Sequence, residues 1–392
     1  MQPISRRTFL KTSLMAAAIL SLARFSSDPV VKAAAKDIEK SIAQGEQPAL
    51  HIVWVQGQAC SGCTVSLLNS TDPSIVDVLI GQVKELSPVV LDYHPTIMPQ
   101  WGVEHLSSKA AESVEEWSAV SILRKAERGE LGPYVLVVEG AVPDETTAAM
   151  TGGRWCTIGE DKAGPLTLTE ELLSLAGNAA VVLAVGSCAA FGGIPHGSPN
   201  PTGAKGVMDV LGANWKSSLG LPIINIPGCP PAGDWIVKTV AHLLLTVKGI
   251  LPAPKLDKEH RPTFLYGWLM HDKCPRGSYY AAGQFINKYG EPYCVYSMGC
   301  KGPIVHCPIT VTGFVEGTGM CSAFGSPCIG CTMREFPDPP YSPFLKALPA
   351  PVIPPAEALA AAAVIGVAAG ALGSHVLKAK KKVISKSSSK EG

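Results

Sequence analysis

Short, near-continuous apolar runs of β type recur through the first two thirds of the chain, at residues 50–55, 89–93, 134–138, 180–185 and 222–226. Amphipathic helical patterns separate several of them, at 74–86, 168–175 and 234–246. Strand runs alternating with helical patterns predict βαβ units, and hence an α/β protein with a doubly wound parallel sheet covered by helices on both faces. In such sheets, sites lie beyond the carboxyl ends of the strands. Cysteines fall at those places: Cys60 and Cys63 after the first run, Cys188 after Val185-Gly186-Ser187, and Cys229 after Ile226-Pro227-Gly228. Three strand ends are therefore expected to deliver four thiols to one edge of the sheet.

Beyond about residue 255 the periodicity fades, and Gly, Pro and Cys dominate. The stretch 261–344 has too little regular apolar pattern for a conventional core, so an irregular domain held by something else is expected. The predicted division is a leader at 1–35, a sheet domain at 48–254, a second domain at 255–345, a Pro-rich linker at 346–355, an apolar span at 356–377 and a basic tail at 378–392.

The ends read as address and anchor. Ser5-Arg6-Arg7-Thr8-Phe9-Leu10-Lys11 is a twin-arginine signal, followed by a short apolar stretch and an Ala33-Ala34-Ala35 cleavage candidate. Residues 358–377 contain no Asp, Glu, Lys or Arg. At about 1.5 Å per residue this stretch extends roughly 30 Å, enough for one membrane span. Lys378, Lys380, Lys381 and Lys382 follow it, and the positive-inside rule puts them in the cytoplasm with the body on the outer face, where the leader would send it.

Composition narrows the function classes. Of 392 residues, 46% are hydrophobic and 17% charged, which excludes a disordered chain, and 39 Gly with 33 Pro favours fixed loops over a helical bundle. The 33 Lys and Arg nearly balance the 32 Asp and Glu, but bases concentrate at both termini and leave an acidic body. No nucleic-acid partner is expected, because such a partner needs a basic footprint.

Twelve cysteines in an exported chain first suggest disulfides. Two Cys-x-x-Cys pairs, Cys60/Cys63 and Cys328/Cys331, argue instead for metal or cluster ligation, as does the proline after each of Cys229, Cys274 and Cys307. Zinc also uses Cys-x-x-Cys, but it gives no reason for three neighbouring sites in one chain. A membrane-anchored, disulfide-bonded or zinc-binding protein without redox clusters stands as the alternative.

Seven motifs then occur in order: Trp54 to Cys63, Gly186-Ser187-Cys188, Pro199 to Gly203, Gly228-Cys229-Pro230-Pro231, His271 to Pro275, Gly299 to Pro303 and Pro327 to Cys331. From about residue 50 to 345 the chain resembles the small subunit of membrane-bound, uptake-type nickel-iron hydrogenases. The resemblance implies a flavodoxin-like sheet domain and three iron-sulfur clusters that conduct electrons. It implies a large-subunit partner holding the nickel-iron centre, and a membrane cytochrome or other quinone-linked acceptor. It assigns Cys60, Cys63, Cys188 and Cys229 to the cluster nearest the large subunit, and His271, Cys274, Cys294 and Cys300 to the outermost one. The middle cluster draws on Cys307, Cys328 and Cys331. Many members hold a three-iron cluster there, with proline at the place of a fourth ligand, but here Cys321 stands in that place and a four-iron cluster is expected. His306 is a local competitor to His271, Cys156 is left over, and His375 is read as an interfacial residue. Oxygen-tolerant relatives carry two extra cysteines around the inner cluster. Here those positions are Gly62 and Gly193, so oxygen sensitivity is expected. The Cys331-Thr332-Met333-Arg334 sequence lacks the histidine that follows the C-terminal Cys-x-x-Cys pair of the large subunit, so the nickel site is expected elsewhere.

Overall fold

The apolar runs form five strands of one parallel sheet in the computed structural model: β1 (Leu50–Gln56), β2 (Val89–Tyr93), β3 (Tyr134–Glu139), β6 (Val181–Val185) and β7 (Ile224–Ile226). The structure describes residues 50–79, 89–98, 100, 102, 118–148, 153–247, 250–338 and 346–348. The leader, most of the Pro-rich linker, the apolar span and the basic tail lie outside the described residues. Among the described residues, no helix is long and apolar enough to cross a membrane.

The sheet order is β2-β1-β3-β6-β7, with every pairing parallel. Counted along the parallel strands alone, this is the flavodoxin-like order, second-first-third-fourth-fifth. Between β3 and β6 the chain inserts an antiparallel hairpin, β4 (Thr157–Asp161) with β5 (Gly164–Thr167), which the sequence pattern does not announce. The predicted helical stretch 74–86 is helical at Ile75–Leu79, and residues 80–88 are outside the description.

Burial on both faces explains the near-continuous apolar strands. One face, with Ile52, Trp54, Val135, Val137, Leu183 and Val185, packs under helix α5 (Gly233–Val247) through Trp235, Leu243 and Leu244. The other face packs against Leu123 of α2 (Ala119–Glu127) and Leu168, Leu172 and Leu175 of α3 (Leu168–Asn178). Each fully buried leucine contributes about 1.5–3 kcal/mol. Residues alternate between faces along β1 and β3, as a period of two requires.

The region after 255 has apolar anchors that its sequence pattern hides. Leu265, Tyr266, Met270, Ile286, Val295, Val305 and Ile309 join the core under α5, together with Cys300, Cys307 and Cys328. Its elements are short turns of helix, such as Met270–Lys273 and Val295–Met298, so these residues meet through loops rather than along one periodic face. The described parts of 50–280 and 284–348 form one compact unit.

Candidate metal centres

The carboxyl ends of β1, β6 and β7 converge. After β1 the chain passes Cys60 and enters α1 (Gly62–Leu68), whose second residue is Cys63. β6 runs directly into α4 (Gly186–Phe191), which carries Cys188, and β7 is followed by the Gly228-Cys229 turn. Gly186 has φ +89°, and a Cβ there would lie 2.5 Å from Cys63 Sγ and 3.8 Å from Gly228 O. Only glycine permits both that conformation and that approach. Ser187 ties the junction: its N–H donates to Gly228 O at 2.9 Å, and its Oγ accepts from Gly228 N–H at 3.0 Å while donating to Cys331 O.

These four thiols share one environment. Burial pushes the Cys63 thiol well up, and Glu139 and the thiols of Cys188, Cys60 and Cys229 add to the effect. Burial, then Cys229, pushes Cys188 up to about 12. Cys229 is raised by burial and by Cys60.

A second set, Cys307, Cys321, Cys328 and Cys331, lines one cavity of about 150 Å³, to which Cys229 also contributes. Burial raises all four, and neighbouring thiols reinforce it for three of them: Cys331 and Cys321 for Cys307, Cys300, Cys331 and Cys307 for Cys328, and Cys321 and Cys229 for Cys331, which reaches about 12. Cys321 thus stands with this set.

In the third set, Cys294 is raised by burial and by Cys300 and Cys274, and Cys300 by burial and by Cys274. His271 sits in the one-turn helix Met270–Lys273, where its carbonyl accepts from Cys274 N–H at 3.1 Å. Its ring packs edge-on against Tyr280 with centroids 4.4 Å apart, and burial lowers its pKa, which favours neutral imidazole. His306 Nδ1 lies 3.1 Å from Tyr266 O. Cys156 is also apart, half-buried beside Glu145 and pushed up to about 11 by burial.

Backbone N–H groups point at sulfur in each set. Ile194 donates to Cys188, Ile309 to Cys307, Gly330 to Cys328 and Tyr296 to Cys294, and Cys300 Sγ accepts from Cys328 N–H at 3.3 Å and Gly302 N–H at 3.4 Å. A thiolate is a far better acceptor than a thiol, so the donors are arranged for ionised sulfur. All twelve cysteines are free, which disfavours the disulfide alternative. Among the described residues, no three His, Cys, Asp or Glu side chains close tightly enough to hold a single metal ion.

Three residues around these sets are absent from the sequence expectations. Glu139 ends β3 beside Cys63, Ser187 bridges two strand ends, and Lys301 lies fully buried next to Cys300. Ser187 and Lys301 stand inside quoted motifs, and Glu139 is a charge closing an apolar run, so each left a trace in the sequence.

Comparisons with known proteins bear on the family of the chain. Residues 60–243 match the family model of the 20 Kd chain of NADH ubiquinone oxidoreductase, and 266–344 match that of the C-terminal region of the NiFe/NiFeSe hydrogenase small subunit. The periplasmic NiFeSe hydrogenase small subunit of Desulfomicrobium baculatum is 32% identical over 353 residues, covering 88% of this chain and 99% of its own. The hydrogenase-2 small chain of Escherichia coli K12 is 33% identical over 334 residues, covering 84% of this chain and 76% of its own. Among solved structures, a chain of the actinobacterial-type NiFe-hydrogenase from Ralstonia eutropha H16 superposes with a TM-score of 0.70 at 34% identity, covering 83% of this chain and 91% of the other. The reduced NiFeSe hydrogenase of D. baculatum gives 0.63 at 33% identity, over 77% and 100%. The chain therefore belongs to the family of nickel-iron hydrogenase small subunits, the electron-transfer partners of the large subunit that holds the nickel-iron site.

Proposed function

We propose that this chain carries electrons from hydrogen oxidation in the large subunit to a membrane cytochrome or other quinone-linked acceptor through three four-iron clusters. Cys60, Cys63, Cys188 and Cys229 would hold the inner cluster, Cys307, Cys321, Cys328 and Cys331 the middle one, and His271, Cys274, Cys294 and Cys300 the outer one. A cluster held by thiolates gains or loses one electron with little ligand rearrangement. The chain's own residues gather the sulfurs and aim N–H donors at them. The neutral imidazole of His271 removes one negative charge from the outer set relative to four thiolates, which favours the reduced state there.

The observation that carries this reading is the clustering of free thiols, five of them buried and two, Cys60 and Cys229, exposed, with backbone donors directed at sulfur. It supports the sheet domain at 48–254 as bearer of the inner cluster, and 255–345 as bearer of the other two. The middle set supplies the test. In the purified complex, iron analysis should give about twelve atoms for this subunit, and Cys321→Ser should produce a three-iron signal in electron paramagnetic resonance. A strong three-iron signal in the native complex would remove Cys321 from the ligands. We also read the complex as exported folded by the twin-arginine route and anchored on the outer face through 356–377.

A further inference from the structure

Two charged residues are buried within the cysteine framework without belonging to a ligand set. Glu139 is 1% exposed. Its Oε1 accepts from the backbone N–H of Cys63 at 3.0 Å and of Thr64 at 3.3 Å. Its Oε2 accepts from Gln56 Nε2 at 2.8 Å, Trp54 Nε1 at 3.1 Å and Thr64 Oγ1. All five partners donate, the pattern of an ionised carboxylate, and none of the five is charged. A negative charge is therefore held against the inner set with only dipoles among its hydrogen-bond partners, and with the buried ring of His94 nearby, whose pKa is lowered by burial.

Lys301 is 0% exposed and lies where the outer and middle sets meet. It follows Cys300 in sequence, and its backbone N–H donates to Cys328 O at 2.8 Å. Cys328 N–H in turn donates to Cys300 Sγ, so ligands of the two sets are joined by one hydrogen bond. The ammonium donates to Gly299 O at 2.7 Å and to Lys346 O. Burial, with Lys346 nearby, lowers its pKa, and the sulfurs of Cys300 and Cys328 partly oppose that shift.

We infer that Glu139 and Lys301 are positioning charges that set an electrostatic slope along the cluster line, negative at the inner cluster and positive between the middle and outer ones. Two charges interact as the inverse of distance and of local dielectric, and buried charges are poorly screened. An electron added beside Glu139 is repelled, and one added beside Lys301 is attracted. The fixed charges therefore make the inner cluster harder to reduce and the two farther ones easier, which favours electron movement away from the large subunit. This inference rests on the three-cluster reading above.

The experiment is a redox titration of the purified, anaerobic assembly of large and small subunits followed by electron paramagnetic resonance, which reads only assembled clusters. Glu139→Gln should move the inner midpoint to more positive potential and leave the outer one in place. Lys301→Met and Lys301→Gln should move the middle and outer midpoints to more negative potential and leave the inner one in place. Glu139→Asp and Lys301→Arg should stay close to native. A merely structural role would lower cluster content without these opposite, site-selective shifts. Unmoved midpoints in the neutral variants, or equal shifts in the charge-conserving ones, overturn the slope while the cluster reading stands. If the native complex shows no cluster signal at all, the cluster reading falls and the slope with it.

Discussion

At Gly62 and Gly193 the backbone itself leaves little room for a side chain beside the inner set. A Cβ on Gly62 would lie 3.1 Å from Cys60 Sγ, and one on Gly193, where φ is +52°, would lie 2.9 Å from Cys188 Sγ and 2.8 Å from Cys188 N. These are the positions at which oxygen-tolerant relatives are expected to carry extra cysteines. With glycine at both, the inner set has four thiols and no further sulfur ligand from these sites. Oxygen reaching the nickel centre would then find only ordinary one-electron supply. The expected outcome is loss of hydrogen-oxidising current from the purified complex when oxygen is admitted, with recovery only under reducing conditions. Current sustained at air-level oxygen would contradict it.

On the scale of elements, α3 shows how local signals and tertiary contacts combine. Thr167 caps its start, accepting from Glu170 N–H at 3.3 Å and donating to the Glu170 carboxylate at 2.6 Å, and Leu168, Leu172 and Leu175 bury one face. On the same helix, Glu171 is buried beside Arg124 of α2, which also binds Glu127 and Asp161. Three carboxylates share one guanidinium. Burial, reinforced by Glu127, raises the Glu171 pKa from its usual 4.5 to about 7 despite Arg124. The folded state thus binds a proton more tightly than the unfolded chain. The associated stability is full below about pH 4.5 and is lost as pH rises through about 7. Glu171→Gln, a fixed neutral analogue, should remove this dependence. Between pH 5 and pH 8 the native complex should lose roughly 1 kcal/mol relative to the variant, allowing for solvent screening, or a few degrees in Tm. Thermal unfolding at those two pH values measures it, and a constant difference between the proteins would count against the shared proton.

For the whole molecule, the prediction concerns its two ends, which lie outside the described residues. Arg6→Lys with Arg7→Lys should trap the assembled complex in the cytoplasm, and truncation after Pro355 should release an exported, soluble complex. Cell fractionation with antibody detection checks both. Export that survives loss of both arginines would sink the twin-arginine assignment, and membrane retention after truncation would sink the anchor.

The sequence by itself determined the parallel sheet and the strand ends that carry Cys60, Cys63, Cys188 and Cys229, because burial on both faces demands continuous apolar runs that are visible without coordinates. It also determined the ordered motifs that mark the family, since closely spaced thiols and their glycines are local features. Tertiary structure alone decided how the irregular region packs. Met270, Ile286, Val305 and Ile309 reach the core from separate loops, so no period betrays them. It brings to one cavity Cys307, Cys321, Cys328 and Cys331, the four thiols that the motif resemblance had already grouped. And it decided that Glu139 and Lys301 are buried charges: each is an ordinary charged residue in the sequence, and becomes an electrostatic element only where distant segments close over it and exclude water.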